Sequence, residues 1–188
     1  MSEINAMWMA FVEHWPVWIV TLLLVVAAVI DGWMLKVPNW LTYPMVFAGW
    51  AYSATYFGWE GLMWSLLGTA VGLLLLLPMY AIGGMGAGDV KLLAGVGAWV
   101  WATNTFYAFC ATTIIGAVIA VLMVVYRRAW AKHQAQFWMI FHEIFSVRDP
   151  NQLSAIAAER KSSMMLLPYG IPIAIGTILY FAWEGMLL

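Results

Sequence analysis

Apolar residues run along this chain in long blocks, punctuated by proline, glycine and isolated charges, rather than in short alternating stripes. A membrane-crossing helix needs about 20 mainly apolar residues, and the chain divides into six such blocks. The first runs from Pro16 to Leu35 and stops before Pro38, which lacks the N–H that a continuing helix needs. Asn39 is the expected N-cap of the second block, Trp40 to Phe57. Gly58 to Gly61 form a turn carrying Glu60, and the third block spans Leu62 to Ile82. Gly83-Gly84-Met85-Gly86-Ala87-Gly88 is a glycine-rich loop, and Asp89 opens a short fourth block ending near Trp101. Asn104 marks a turn, and the fifth block covers Phe106 to Tyr126. A polar segment, 127–163, precedes the sixth block, which begins at Met164. The pattern predicts an all-α polytopic membrane protein with six transmembrane helices.

Composition excludes other classes. Of 188 residues, 65% are hydrophobic and 9% charged, against about 45–50% and about 25% in soluble domains. Disorder is incompatible with that apolar content. A net charge of −1 with eight basic residues excludes a nucleic-acid partner. The single Cys110 excludes a disulfide framework and a cysteine zinc cluster. Six spans leave no room for a separate soluble domain, so one membrane-embedded domain over 1–188 is expected, with 127–163 cytoplasmic or interfacial. The first charges, Glu3 and Glu13, do not read as a signal-peptide n-region.

Basic residues collect on the cytoplasmic side of membrane proteins. With six spans, Lys36, Lys91, Arg127, Arg128, Lys132, Arg148, Arg160 and Lys161 all fall on one face, while Glu3, Glu13, Glu60 and Glu184 fall on the other. Both termini are therefore expected outside the cytoplasm. Tryptophans near span ends, such as Trp15, Trp99 and Trp101, fit interfacial anchoring. Methionines fit packing, and Gly68 with Gly72 permits close helix approach.

Asp31 and Asp89 stand within or against the apolar blocks near the cytoplasmic side. Ionisable residues are costly there and are functional candidates by default. Two complete spans separate them, so both lie at similar depth in one leaflet. Two adjacent carboxylates do not both ionise easily, and a shared proton suits peptide hydrolysis. One member takes a proton from water while the other hydrogen-bonds the carbonyl oxygen. The bland alternatives are an interfacial Asp31–Lys36 pair and Asp89 capping a helix. The glycines before Asp89 permit positive φ and close backbone approach, suited to an extended substrate segment. A phosphate-loop reading is weak, since no lysine followed by Ser or Thr closes the glycine run. Lys91 reads as a topological anchor, or as a partner for lipid headgroups or an acidic substrate position.

These residues carry a resemblance. Asp31-Gly-Trp-Met-Leu-Lys-Val-Pro38-Asn39 resembles the first-aspartate motif of the bacterial prepilin peptidases, and Gly86-Ala-Gly88-Asp89-Val-Lys91-Leu resembles their GxGD motif. Pro168-Tyr169-Gly170-Ile171-Pro172 resembles the family's stretch opening the last span. The resemblance runs from about residue 17 to 185. It implies an intramembrane aspartic protease that removes the basic leader of type IV prepilins or pseudopilins at the cytoplasmic face of the bacterial inner membrane. The carried-over catalytic pair is Asp31 and Asp89, with no metal or organic cofactor. Larger relatives of that kind also methylate the new pilin N-terminus and carry paired cysteines in a cytoplasmic domain. The chain here has one cysteine, so it resembles the short, peptidase-only type of Flp (tight-adherence) pili, without methylation. The implied partners are a prepilin and membrane lipid.

Within the polar segment, residues 136–145 have an apolar face and are expected to lie in the interface as an amphipathic helix. His14, His133 and His142 lack metal-ligand spacing. A rhomboid-type serine motif and an HExxH are both absent, and Ile30 before Asp31 sets the chain apart from presenilins. Two other classes use the same features: an ion-coupled transporter carrying charge on the aspartates, and a non-catalytic component of pilus assembly.

Overall fold

A computed structural model describes residues 14–81, 84–126 and 168–187. These residues form four helices and no strand: α1 (Trp15–Met34), α2 (Asn39–Ala81), α3 (Ala87–Tyr126) and α4 (Gly170–Trp183). α1, α2 and most of α3 are long and apolar enough to cross a membrane. α1, with 20 residues, spans about 30 Å, the thickness of the hydrocarbon core. Pro16 sits in its first turn, where a missing N–H costs nothing. Leu35 closes it in the left-handed conformation, its N–H donating to the Asp31 carbonyl at 2.8 Å.

Among the described residues there are four helices, not the six expected: the expected second and third run together in α2, and the fourth and fifth in α3. α2 has 43 residues and would extend about 65 Å if straight. Gly58 breaks it at φ 64°, ψ −151°, a region open almost only to glycine. Trp50 Nε1 donates to Thr69 Oγ1 at 2.9 Å across 19 residues, a span of about 28 Å along an unbroken helix. The limbs 39–57 and 59–81 therefore lie side by side. Gly61 belongs to the second limb rather than to the turn.

In α3 the break falls at Trp101, with φ 66° and ψ −178°. Asn104, expected in that turn, lies in the second limb and accepts a 2.8 Å hydrogen bond from the Tyr180 hydroxyl. The first limb, 87–100, packs between the two limbs of α2. A Cβ on Gly68 or on Gly97 would stand 2.1 Å from the other's carbonyl oxygen. Gly72 meets Leu93 and Ala94 at 2.6 and 2.8 Å by the same measure, and Gly49 meets Ala98 and Trp99. Every residue from 92 to 100 is buried, as befits a helix that is apolar all round. Without a hydrophobic drive between helices in lipid, such small-residue contacts hold the bundle by dispersion. The second limb, 102–126, packs on α4 through Thr112 at Gly176 and Gly116 at Pro172.

Interfacial anchoring does not describe Trp99. It is buried, and its Nε1 donates to the Met45 carbonyl at 2.9 Å. Tyr52 stacks on it at 5.3 Å and Trp15 meets it edge-on at 6.3 Å. The expected amphipathic helix at 136–145, the basic cluster after Tyr126, His133, His142 and the start of the sixth block lie outside the described residues.

Candidate active site

Asp31 is in the last turn of α1 and is 2% exposed. Its Oδ2 accepts the backbone N–H of Gly170 at 2.7 Å, a donor 139 residues further along the chain. Gly170 is the first residue of α4, so the positive end of that helix dipole points at the carboxylate. No larger residue fits: a Cβ at 170 would come within 2.9 Å of both Asp31 Cβ and Oδ2. The bland Asp31–Lys36 pair is not formed, for Asp31 turns inward to α4 while Lys36 is exposed.

Asp89 is 6% exposed in the first turn of α3. Its Oδ2 accepts the Gly86 N–H at 3.0 Å, and its own N–H donates to the Gly86 carbonyl at 3.2 Å. That reciprocal pair is the backward half of a capping box. The capping reading of Asp89 is thus geometrically real, and it holds the carboxylate in a defined orientation.

The two aspartates border one short stretch. Asp31 touches Gly170, and the phenol of the adjacent Tyr169 is pushed up first by burial and then by the charge of Asp89. Gly88, just before Asp89, serves close approach rather than positive φ. Among the described residues, Gly84, Gly86 and Gly88 have ordinary φ. Gly88 lies where a Cβ would be 2.4 Å from the Val37 carbonyl oxygen. The α3 start is therefore pressed against the α1–α2 turn, six residues past Asp31 in sequence.

Asn39, expected as an N-cap, is instead the first helical residue of α2. The Pro38 carbonyl accepts from Leu41 and Thr42 at 3.2 and 3.3 Å, so Pro38 takes the cap position. Asn39 Oδ1 is engaged elsewhere, accepting from Lys91 Nζ at 2.9 Å. Lys91 also donates to the Tyr43 hydroxyl at 3.0 Å and sits 4.7 Å from that ring's centre. Lys91 is thereby anchored within the molecule, on the first turns of α2. Tyr43 carries no motif and was not legible as a site residue; its only signal is the spacing of four from Asn39, which puts both on one helix face.

Pro168 and Pro172 frame Gly170. The Pro168 carbonyl accepts from Ile171 N–H at 3.1 Å, while Pro172 is buried against Gly116. Pro172 stands in the first turn of α4, where its missing N–H is harmless. Asp31, Asp89 and Gly170 are thus gathered with Gly86 and Gly88, while Lys91, Pro38 and Asn39 brace the adjoining turn. Among the described residues, no group of three His, Cys, Asp or Glu converges as a metal site would require. A cavity of about 210 Å³ lies elsewhere, lined by His14, Tyr52, Phe57 and Trp101 near the opposite ends of α1 and the α2 limbs.

A family model described as the type IV leader peptidase family matches residues 18–121. That stretch is more than half of the chain and contains both aspartates, Pro38, Asn39, Gly86, Gly88 and Lys91. Comparison with curated proteins and with solved structures gives no match.

Proposed function

Because this chain belongs to the type IV leader peptidase family, we propose that it is an intramembrane aspartic endopeptidase whose catalytic pair is Asp31 and Asp89. Membership makes it a membrane peptidase, a hydrolase of prepilin leaders. The reading goes further in the residues, the chemistry and the substrate type. It is carried by one observation: two buried carboxylates, each bound through Oδ2 to a backbone N–H, stand on either side of the Gly88–Val37 contact.

In the proposed reaction, one aspartate is ionised and the other protonated. The ionised carboxylate takes a proton from water, whose oxygen attacks the scissile carbonyl carbon. The protonated partner hydrogen-bonds the carbonyl oxygen and stabilises the tetrahedral intermediate. Collapse breaks the C–N bond, and the proton passes to the departing amine. Backbone N–H groups fix each carboxylate through Oδ2, Gly170 for Asp31 and Gly86 for Asp89. That leaves little reorganisation for the moment of reaction.

The turns at Gly58 and Trp101 support six crossings, and the one-sided distribution of basic residues supports extracytoplasmic termini with the aspartates at the cytoplasmic face of the inner membrane. The chain is proposed as a single peptidase domain of the short, Flp-pilus type. Pilin methylation and a metal or organic cofactor form no part of the proposed reaction.

The test is co-expression with a candidate Flp prepilin, reading the pilin's intact mass. Wild type is expected to remove the leader, while Asp31→Asn and Asp89→Asn reach the membrane and leave it attached. Cleavage by both variants refutes the catalytic assignment. A transporter would need the aspartates for ion flux instead, and an assembly scaffold for neither.

A further inference from the structure

Lys91 is held at the mouth of the candidate site by two neutral acceptors, Asn39 Oδ1 and the Tyr43 hydroxyl, both on the first turns of α2. An ammonium has three donors and no acceptor, so its orientation follows from those partners. On α3, Lys91 comes two residues after Asp89 and three after Gly88. Residues three apart share a helix face, so Gly88 and Lys91 both turn toward the α1–α2 connection. Gly88 touches Val37 by bare contact. Such contact sets how near α3 approaches but not how it is rotated about its own axis. Directional bonds from Lys91 supply that second constraint.

Asp89 lies between the two contacts. With 3.6 residues per turn, fixing the face that holds residues 88 and 91 fixes where residue 89 points. A rotation of about 20° would carry a carboxylate ~6 Å from the helix axis by ~2 Å. A misplacement of about 1 Å can cost a reaction ~100-fold.

We propose that Lys91 is a positioning residue: its bonds to Asn39 and Tyr43 lock the rotation of the α3 start and thereby aim Asp89 at Asp31. The inference rests on the proposed catalytic pair. It assigns Lys91 no contact with substrate, so its loss acts on turnover rather than on binding.

Two measurements test it. The first is kinetics on a peptide spanning a prepilin leader junction, with wild type, Lys91→Met, Lys91→Arg, Asn39→Leu and the Lys91→Met/Asn39→Leu double variant. Lys91→Met is expected to lower kcat on the order of 10- to 100-fold with KM unchanged. Lys91→Arg, which keeps donors, recovers part of the loss. The double variant is expected to be no worse than Lys91→Met alone, because the bond that Asn39→Leu removes is already lost with Lys91. A raised KM with wild-type kcat, or multiplying losses, overturns the proposal. The second reads position without catalysis: a nitroxide on Asp89→Cys, with Cys110→Ala. The label is expected to be immobilised with Lys91 present and loosened by Lys91→Met; equal mobility overturns the proposal. If wild type leaves the peptide intact, the proteolytic reading fails, while the label still decides the role of Lys91.

Discussion

Gly170→Ala separates the position of Asp31 from its chemistry. The substitution adds one methyl group and keeps the backbone N–H that Asp31 Oδ2 accepts at 2.7 Å. The new Cβ would lie 2.9 Å from Asp31 Cβ and Oδ2 and 3.1 Å from Cγ. Ordinary contact begins near 3.4 Å, so carboxylate and helix must part by at least half an ångström. Asp31 is buried, and α1 is packed on α4 at this level through Gly32 and Ile171. Neither partner gives way cheaply, and overpacking of this kind costs about 1–3 kcal/mol. The stretched bond to the carboxylate adds to that, since a hydrogen bond to a charged group is worth about 1.5–3 kcal/mol. In turnover, displacement approaching 1 Å predicts a kcat loss on the order of 100-fold with KM little changed. Gly32→Ala is the internal control: its Cβ would meet Ile171 Cδ1 at 3.6 Å, an ordinary contact. The assay is leader cleavage by purified enzyme in detergent, paired with thermal unfolding. Wild-type kcat in a folded Gly170→Ala enzyme would refute the dependence of Asp31 on the start of α4.

Other predictions concern the frame around the site. Gly68→Ala would place a Cβ 2.1 Å from the Gly97 carbonyl oxygen, so it is expected to destabilise the bundle by about 2–3 kcal/mol, read as a lower midpoint in detergent unfolding. The six-crossing topology predicts that Glu60→Cys, in a Cys110→Ala background, reacts with an impermeant thiol reagent added outside intact cells. Lys36→Cys should react only after permeabilisation; labelling of both from one side would refute the topology.

Much of the frame was legible because lipid makes polar residues and chain breaks conspicuous. Asp31 and Asp89 stand out against apolar blocks whatever the fold, and Gly58 and Trp101 fall where the blocks meet. What stayed hidden depends on partners distant in sequence. Trp99 reads like any tryptophan at a span end, and only the packing of α3 between the α2 limbs turns its Nε1 to the Met45 carbonyl. Asn39 next to Pro38 has every local mark of a cap, yet the ammonium of Lys91 draws its side chain away. The glycines before Asp89 read as allowing positive φ or close approach, and only the fold shows that Gly88 must admit the Val37 carbonyl. Local propensity carries none of this, since a contact between distant segments leaves no period in either one.

The bond between Asp31 and Gly170 also sets an order of assembly. The ribosome makes Asp31 early, in a segment that enters the bilayer long before residue 170 exists. For the intervening 139 residues the carboxylate lacks the N–H that later holds it. Its place in the final turn of α1, three residues from the helix end, lets it stay near the polar headgroups during that interval. Docking of α4 then completes the surroundings of a residue made 139 residues earlier. A nascent chain therefore carries Asp31 through 139 further residues of synthesis without the contact that fixes it.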